Sequence, residues 1–214
     1  GYQNTSIGSE SLYSNTTGTL NSSLGHYALR SNTTGSYNSA FGASALKSNT
    51  TGSFNTAFGL QTLLSNTTGY ENSSFGSQSL QNNTTGYQNS AFGQSALYEN
   101  TTGIRNHALG NFAMRFNTTG SNNLGLGYYA LSTNSEGSNN TALGNEAGYS
   151  ALGTGNVFIG YQAGRDETGS NKLYISNADD TNLITGDFSS GALSLGQTSG
   201  TVTILNDADI DGTL

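Results

Sequence analysis

Glycine returns every seventeenth residue along most of this chain. One series runs Gly18, Gly35, Gly52, Gly69, Gly86, Gly103, Gly120 and Gly137, mostly closing the phrase Asn-Thr-Thr-Gly. A second runs Gly8, Gly25, Gly42, Gly59, Gly76, Gly93, Gly110, Gly127 and Gly144 with the same step. A fixed period of this size marks a stacked repeat architecture, in which each unit touches mainly its neighbours. It speaks against a mixed globular enzyme and for an elongated structural or adhesive object.

Only 33% of the 214 residues are hydrophobic and 9% charged. Those values alone would suit a disordered chain. Proline is absent, however, and Asn, Ser, Thr and Gly recur in register with Phe, Leu and Tyr, so the pattern reads as ordered. Without cysteine there is no disulfide framework and no thiolate metal site. No apolar run approaches the roughly 20 residues of a membrane span, and no signal peptide is visible. Membrane insertion of this segment is therefore not expected. The repeat is already in phase at residue 1, so both ends read as cuts in a longer protein.

The net charge of −7 is unevenly placed. Residues 1–164 hold five acids and four bases, whereas 165–214 hold eight acids against Arg165 and Lys172. Neither part offers the basic stripe that nucleic-acid binding needs.

The repeat Ser36 to Gly52 divides into two short expected strands, Tyr37 to Phe41 and Ala43 to Lys47, separated by Gly42. Ser48 to Gly52 makes the return turn, with Asn and Gly at the corners where the backbone takes positive φ. By strand alternation Tyr37, Ser39 and Phe41 share a face. The expected core consists of Phe41, Phe58, Phe75, Phe92 and Leu109 from the first segment and Leu46, Leu63, Leu80, Leu97 and Met114 from the second. The Asn-Thr-Thr-Gly interruptions leave no segment long enough for a stable isolated helix. Burying one Leu or Phe yields about 1.5–3 kcal/mol, and ordering each backbone residue costs roughly 1–2 kcal/mol. Two or three large groups per repeat look thin for a self-contained coil, and symmetric association would supply the missing burial. The expectation is an all-β, parallel β-solenoid sharing its core with other copies.

The phrases Asn38-Ser-Ala-Phe-Gly42, Asn55-Thr-Ala-Phe-Gly59, Asn89-Ser-Ala-Phe-Gly93 and Asn140-Thr-Ala-Leu-Gly144 resemble the Asn-Ser-Val-Ala-Ile-Gly motif of trimeric autotransporter adhesin heads. The resemblance implies a left-handed parallel β-roll in which three chains share one core, hence a homotrimer. This chain departs in its longer unit, which would enlarge the outer loop at Ser-Asn-Thr-Thr-Gly. The run is also similar to repeats in bacteriophage tail-fibre-type and bacterial surface proteins, where segments like Asn171-Lys-Leu-Tyr-Ile-Ser-Asn177 and Leu183-Ile-Thr-Gly-Asp-Phe188 precede a self-cleaving chaperone. That places the segment outside the cell, on a virion fibre or a bacterial surface.

After Gly144 the phrase Asn156-Val-Phe-Ile-Gly160 arrives sixteen residues on, preceded by an insertion-like Tyr149-Ser-Ala-Leu-Gly-Thr-Gly155. Lys172 to Ser176, Leu183 to Asp187 and Thr201 to Leu205 alternate like strands. The division expected is a 17-residue-repeat roll over 1–164 and a β-rich neck over 165–214 that covers the open edge of the roll.

Asn32, Thr33, Thr34, Asn49, Thr50, Thr51, Asn66, Thr67 and Thr68 form turns that could face a ligand, or ladders whose amides and hydroxyls satisfy neighbouring backbone. The Asn-Thr-Thr sequons follow from the repeat, and glycosylation is not expected. Asp207, Asp209 and Asp211 resemble the start of a calcium loop without its closing Glu and are weak metal candidates. His26 and His107 sit at different phases of the repeat, and the glutamates are scattered. Neither a catalytic triad nor a carboxylate pair is suggested. No enzymatic activity and no cofactor are expected. The expected function is the shaft or head of a trimeric attachment fibre that binds a host or cell-surface receptor, such as a glycan, by many repeated contacts. The alternative is an ice-binding or matrix-forming solenoid with Thr and Asn ladders.

Overall fold

A computed structural model describes residues 1–178 and 182–196. The expected strand at Thr201 to Leu205 and the acidic run at Asp207, Asp209 and Asp211 lie outside the described residues. The described chain is an all-β parallel solenoid without helix. Its strands are β1 (Thr5–Ile7), β2 (Ser22–Leu24), β3 (Ser39–Phe41), β4 (Thr56–Phe58), β5 (Ser73–Phe75), β6 (Ser90–Phe92), β7 (His107–Leu109), β8 (Leu124–Leu126), β9 (Thr141–Leu143) and β10 (Val157–Ile159). Each pairs in parallel with the next, Phe41 against Phe58 and Phe58 against Phe75, so the glycine period becomes one turn of the coil.

Each coil therefore carries one strand, not two. The segment Ala43 to Lys47 is a run of turns, which corrects the second expected strand. The reason lies in the Ala-Leu pair. A strand sends successive side chains to opposite faces, yet Ala45 and Leu46 are both fully buried. Positive φ at Ser44 (59°) and Leu46 (51°) coils the backbone so that both point inward. A non-glycine residue rarely accepts that conformation. Here it is held by bonds between coils: Ser44 N–H donates to His26 O (2.8 Å), Leu46 N–H to Thr62 O (3.0 Å) and Ser48 N–H to Leu64 O (3.1 Å).

The interior has an apolar half and a polar half. Leu29, Leu46, Leu63, Leu80, Leu97, Met114 and Leu131 stack along the first, with Ala40, Ala57, Ala91 and Ala108 from the strand centres. Two columns of buried asparagine fill the second. In one, Asn38 N–H donates to Asn21 Oδ1 (3.0 Å), and Asn38 Oδ1 in turn accepts from Asn55 N–H (3.0 Å). In the other, Asn49 Nδ2 donates to Asn32 Oδ1 and Asn66 Nδ2 to Asn49 Oδ1, both at 2.8 Å. The columns meet at glycine: Gly52 O accepts from Asn38 Nδ2 and Asn49 Nδ2, each at 2.9 Å. Through the uniform coils, each coil's asparagines are thus partnered by those of its neighbours. The expectation that a coil holds too few inward groups is corrected, because asparagine does a share of the filling that only large apolar residues were assigned.

Both glycine series follow from stacking. A Cβ at Gly42 (φ 139°) would lie 2.3 Å from Gly59 O, and one at Gly52 would lie 2.3 Å from Gly69 O. Each coil's backbone occupies the space of its neighbour's missing side chain.

The slip after Gly144 is a shortening by one residue rather than an insertion. Gly153 O takes the place beside Gly137 that Gly137 O takes beside Gly120, and Val157 pairs with Thr141. Ala151 stands where asparagine stood, so the second ladder stops: Asn134 Nδ2 turns to Gly153 O (3.2 Å), and the buried Asn117 Oδ1 and Asn134 Oδ1 lack donors. The apolar half is rebalanced in the same coils. Gly148 and Gly164 replace the stacked Leu, and Phe158 fills the space, its ring atoms 2.5 Å and 2.2 Å from where their Cβ atoms would be.

The parallel ladder continues into β11 (Lys172–Ser176), which pairs with β10. Then the direction reverses: β12 (Asn182–Asp187) and β13 (Ala192–Leu195) follow as an antiparallel meander.

Candidate functional site

With the interior filled, the surfaces open to a partner are the outer columns. The outward face of the strand ladder carries Ile7, Leu24, Phe41, Phe58, Phe75, Phe92, Leu109, Leu126 and Leu143, one per coil. Phe58 and Phe92 are each 37% exposed and Leu109 47%. In the single chain Phe41, Phe58, Phe75, Phe92 and Leu109 therefore face away from the interior that Leu46 and its counterparts fill, so the two halves of the expected core lie on opposite sides of the coil wall: strand parity turns the middle residue inward, and that residue is the small one, Ala40, Ala57, Ser74, Ala91 or Ala108. Leu46, Leu63, Leu80, Leu97 and Met114 are buried. The four phenylalanines form one stack, with centroids 4.6, 5.0 and 4.9 Å apart and planes within 5° of parallel. Where phenylalanine gives way to leucine, Phe92, His107, Leu109, Leu124 and Leu126 line a recess of ≈ 290 Å³.

The Asn-Thr-Thr-Gly loops divide by position. Asn32, Asn49 and Asn66 are buried in the ladder and face no ligand. Thr33, Thr50 and Thr67 are half-buried, and their hydroxyls donate to the next coil's threonine carbonyl at 3.0, 3.0 and 3.1 Å. Thr34, Thr51 and Thr68 stand exposed in a column. Beside them lie two short aromatic stacks, Tyr37 on Phe54 (4.7 Å) and Tyr70 on Tyr87 (4.6 Å).

The turn wall, the side formed by segments such as Ala43 to Lys47, varies in charge and ring content from coil to coil. Near one end Arg30 pairs with Glu10 at 2.6 Å and lies over Tyr27, as does Lys47. Arg30 is held above its usual range, first by its hydrogen bond to Glu10. Further along, Phe112 stacks on Tyr129 (5.0 Å), and Tyr128 meets Tyr129 edge-on (4.3 Å). The Tyr128 phenol is raised, chiefly by its hydrogen bond to Tyr129. Glu71 accepts from Gln88, Glu99 from Asn82 and Glu146 from Gln162, so these carboxylates are engaged separately.

In the meander Lys172 Nζ donates to Asp187 Oδ2 (2.7 Å) and Tyr174 donates to Glu167 Oε2 (2.5 Å). Asp187 is held well below the usual carboxylate range, first by Lys172 and then by the hydroxyl and N–H of Ser189. Burial, followed by the bond to Glu167, pushes Tyr174 up to about 12. Among the described residues no group of His, Cys, Asp or Glu is arranged to hold a metal, and no helix is long and apolar enough to cross a membrane. The glycine-paced coil and its apolar stripe stand without a counterpart in the comparisons: no family model, no curated protein and no solved structure matches the chain.

Proposed function

We propose that this chain is a segment of a trimeric extracellular attachment fibre, of phage tail-fibre or bacterial adhesin type. Three parallel copies in a left-handed roll bury their outward phenylalanine stripes against one another, and the remaining walls contact a host or cell-surface receptor. The observation that carries the reading is the unbroken apolar stripe on a coil whose interior is already complete. A large exposed apolar strip marks an interaction surface. Its one-per-coil spacing suits a partner of the same period laid parallel, which another copy of the chain provides. The likeness of the Asn-x-Ala-Phe-Gly phrases to adhesin heads supports the same arrangement.

The chain has no cysteine, so Ser73→Cys, outward beside Phe75, gives a single cross-linking position. Mild oxidation should join two copies at that site. No cross-link, together with equal adhesion to cells by the native chain and a Phe75→Asp variant, would overturn the reading, because multivalent contact raises avidity by about 10²-fold or more. The exposed Thr34, Thr51 and Thr68 column favours a second reading, ice binding, for which thermal hysteresis is the test.

A further inference from the structure

Arg115 lies on the turn wall with three rings close by: its guanidinium carbon is 4.8 Å from the centre of Phe116, 5.5 Å from Phe112 and 5.9 Å from Tyr98. Its Nε is buried without a hydrogen-bond partner, and no carboxylate among the described residues pairs with it. The nearby acids are taken, Glu99 by Asn82 (2.9 Å) and Glu146 by Arg165 (3.3 Å). Arg30 and Lys172, by contrast, each have their own carboxylate. A guanidinium has five donors in a planar fork suited to a carboxylate. Aromatic rings lie against such a cation, and with Nε buried the two terminal NH2 groups are what remains for a carboxylate. Phe116 beside it is 40% exposed, and Tyr128, which meets Phe112 edge-on at 6.1 Å, is 45% exposed; such rings pack on the C–H face of a pyranose. The middle coils of the same wall carry Leu60, Gln61, Leu64, Gln78 and Gln81 and no cation, so the combination is local.

The geometry points to a binding site for a carboxylated glycan at Arg115, Phe116 and Tyr128, the carboxylate taken by the guanidinium and the sugar ring laid against the aromatic surface. The inference rests on the attachment-fibre reading and names the ligand class and its place on that fibre. A neutral sugar would leave the fork empty, and an acidic peptide would forgo the rings.

The test is saturation-transfer NMR on the whole chain with a short hyaluronan oligosaccharide, a neutral chito-oligosaccharide and a polyglutamate peptide. The acidic sugar should bind, weaken with added salt, and lose about tenfold or more of its affinity in Arg115→Gln, in line with a charged hydrogen bond. Lys47→Gln should bind as the native chain does. Circular dichroism of the variants confirms folding, and Phe116→Ala, which keeps the charge, should also weaken the acidic sugar. No binding of the acidic sugar, equal binding of the neutral one or of polyglutamate, or an unchanged Arg115→Gln would each overturn the site. Cross-linking at position 73 does not depend on Arg115. A cross-link with a failed sugar titration condemns this site alone, whereas no cross-link, with adhesion unchanged in Phe75→Asp, condemns the fibre reading.

Discussion

Asn66 shows how a polar residue can act as core. It donates to Asn49 Oδ1 (2.8 Å) and Gly69 O (3.0 Å) and accepts from Asn83 Nδ2 (2.8 Å), all within a buried column. Asn66→Ala leaves two buried groups, Asn49 Oδ1 and one N–H of Asn83 Nδ2, without their partner, while Gly69 O keeps Asn55, and the expected loss is about 2–4 kcal/mol, read from urea unfolding. A surface substitution such as Thr68→Ala should stay within about 0.5 kcal/mol. Nothing in the sequence separates an asparagine that turns the chain from one that stacks inside it, because both sit beside glycine with the same spacing. What was visible was the column itself; its burial depends on the opposite wall being close enough for Gly69 O to accept from Asn55 as well as Asn66. Phe158 gives a second residue-scale test. Phe158→Ala should cost about 3–5 kcal/mol. Gly148 has a positive φ of 59°, close to the 49–52° of the stacked leucines from Leu29 to Leu131, so adding Gly148→Leu to that variant should recover part of the loss, although alone it destabilises. Equal and additive losses would show that the two sites do not share one space.

At the scale of the element, the repeat length and the parallel stacking were legible because glycine can be replaced nowhere along its two columns without meeting the next coil. The strand count was not. Read as a pattern of large apolar residues, Phe41 and Leu46 looked like two strands facing one core. Parity was the better guide: Ala40 lies between two outward residues, and the adjacent small-large pair Ala45-Leu46 cannot be an alternating strand. The meander was readable from its alternation, and Lys172 to Ser176 is the strand that forms. Its pH response follows from two groups. Tyr174 is raised to about 12 from 10.0, so its contribution is complete below its unfolded value and vanishes as pH climbs through about 12. The native chain should lose meander protection over that alkaline window, and Tyr174→Phe should abolish the window, as followed by thermal unfolding against pH. Asp187 is depressed, so its contribution is present above the ordinary Asp value and fades as pH falls toward the lower folded one. Asp187→Asn should remove that acid dependence. Where the asparagine ladder breaks, the orphaned Asn117 Oδ1 and Asn134 Oδ1 mark the weakest join between coils. Native-state hydrogen exchange should open there before the uniform coils near Asn66.

For the whole molecule, the account separates two jobs that the sequence left merged. The coil is held by its own leucines, alanines and asparagines, and the outward phenylalanines are left on the surface, where we propose that copies associate. The expected core is therefore divided in the single chain, with Leu46 and its counterparts inside and Phe41 and its counterparts on the outer face, and the stripe's length now becomes the argument for a partner of equal period. Light scattering in solution tests that claim most directly. The account predicts a mass of about three times the 22.1 kDa chain, falling to a folded single chain when Phe58 and Phe75 are both changed to Asp. A native chain that scatters as a folded monomer at the same concentration would contradict it.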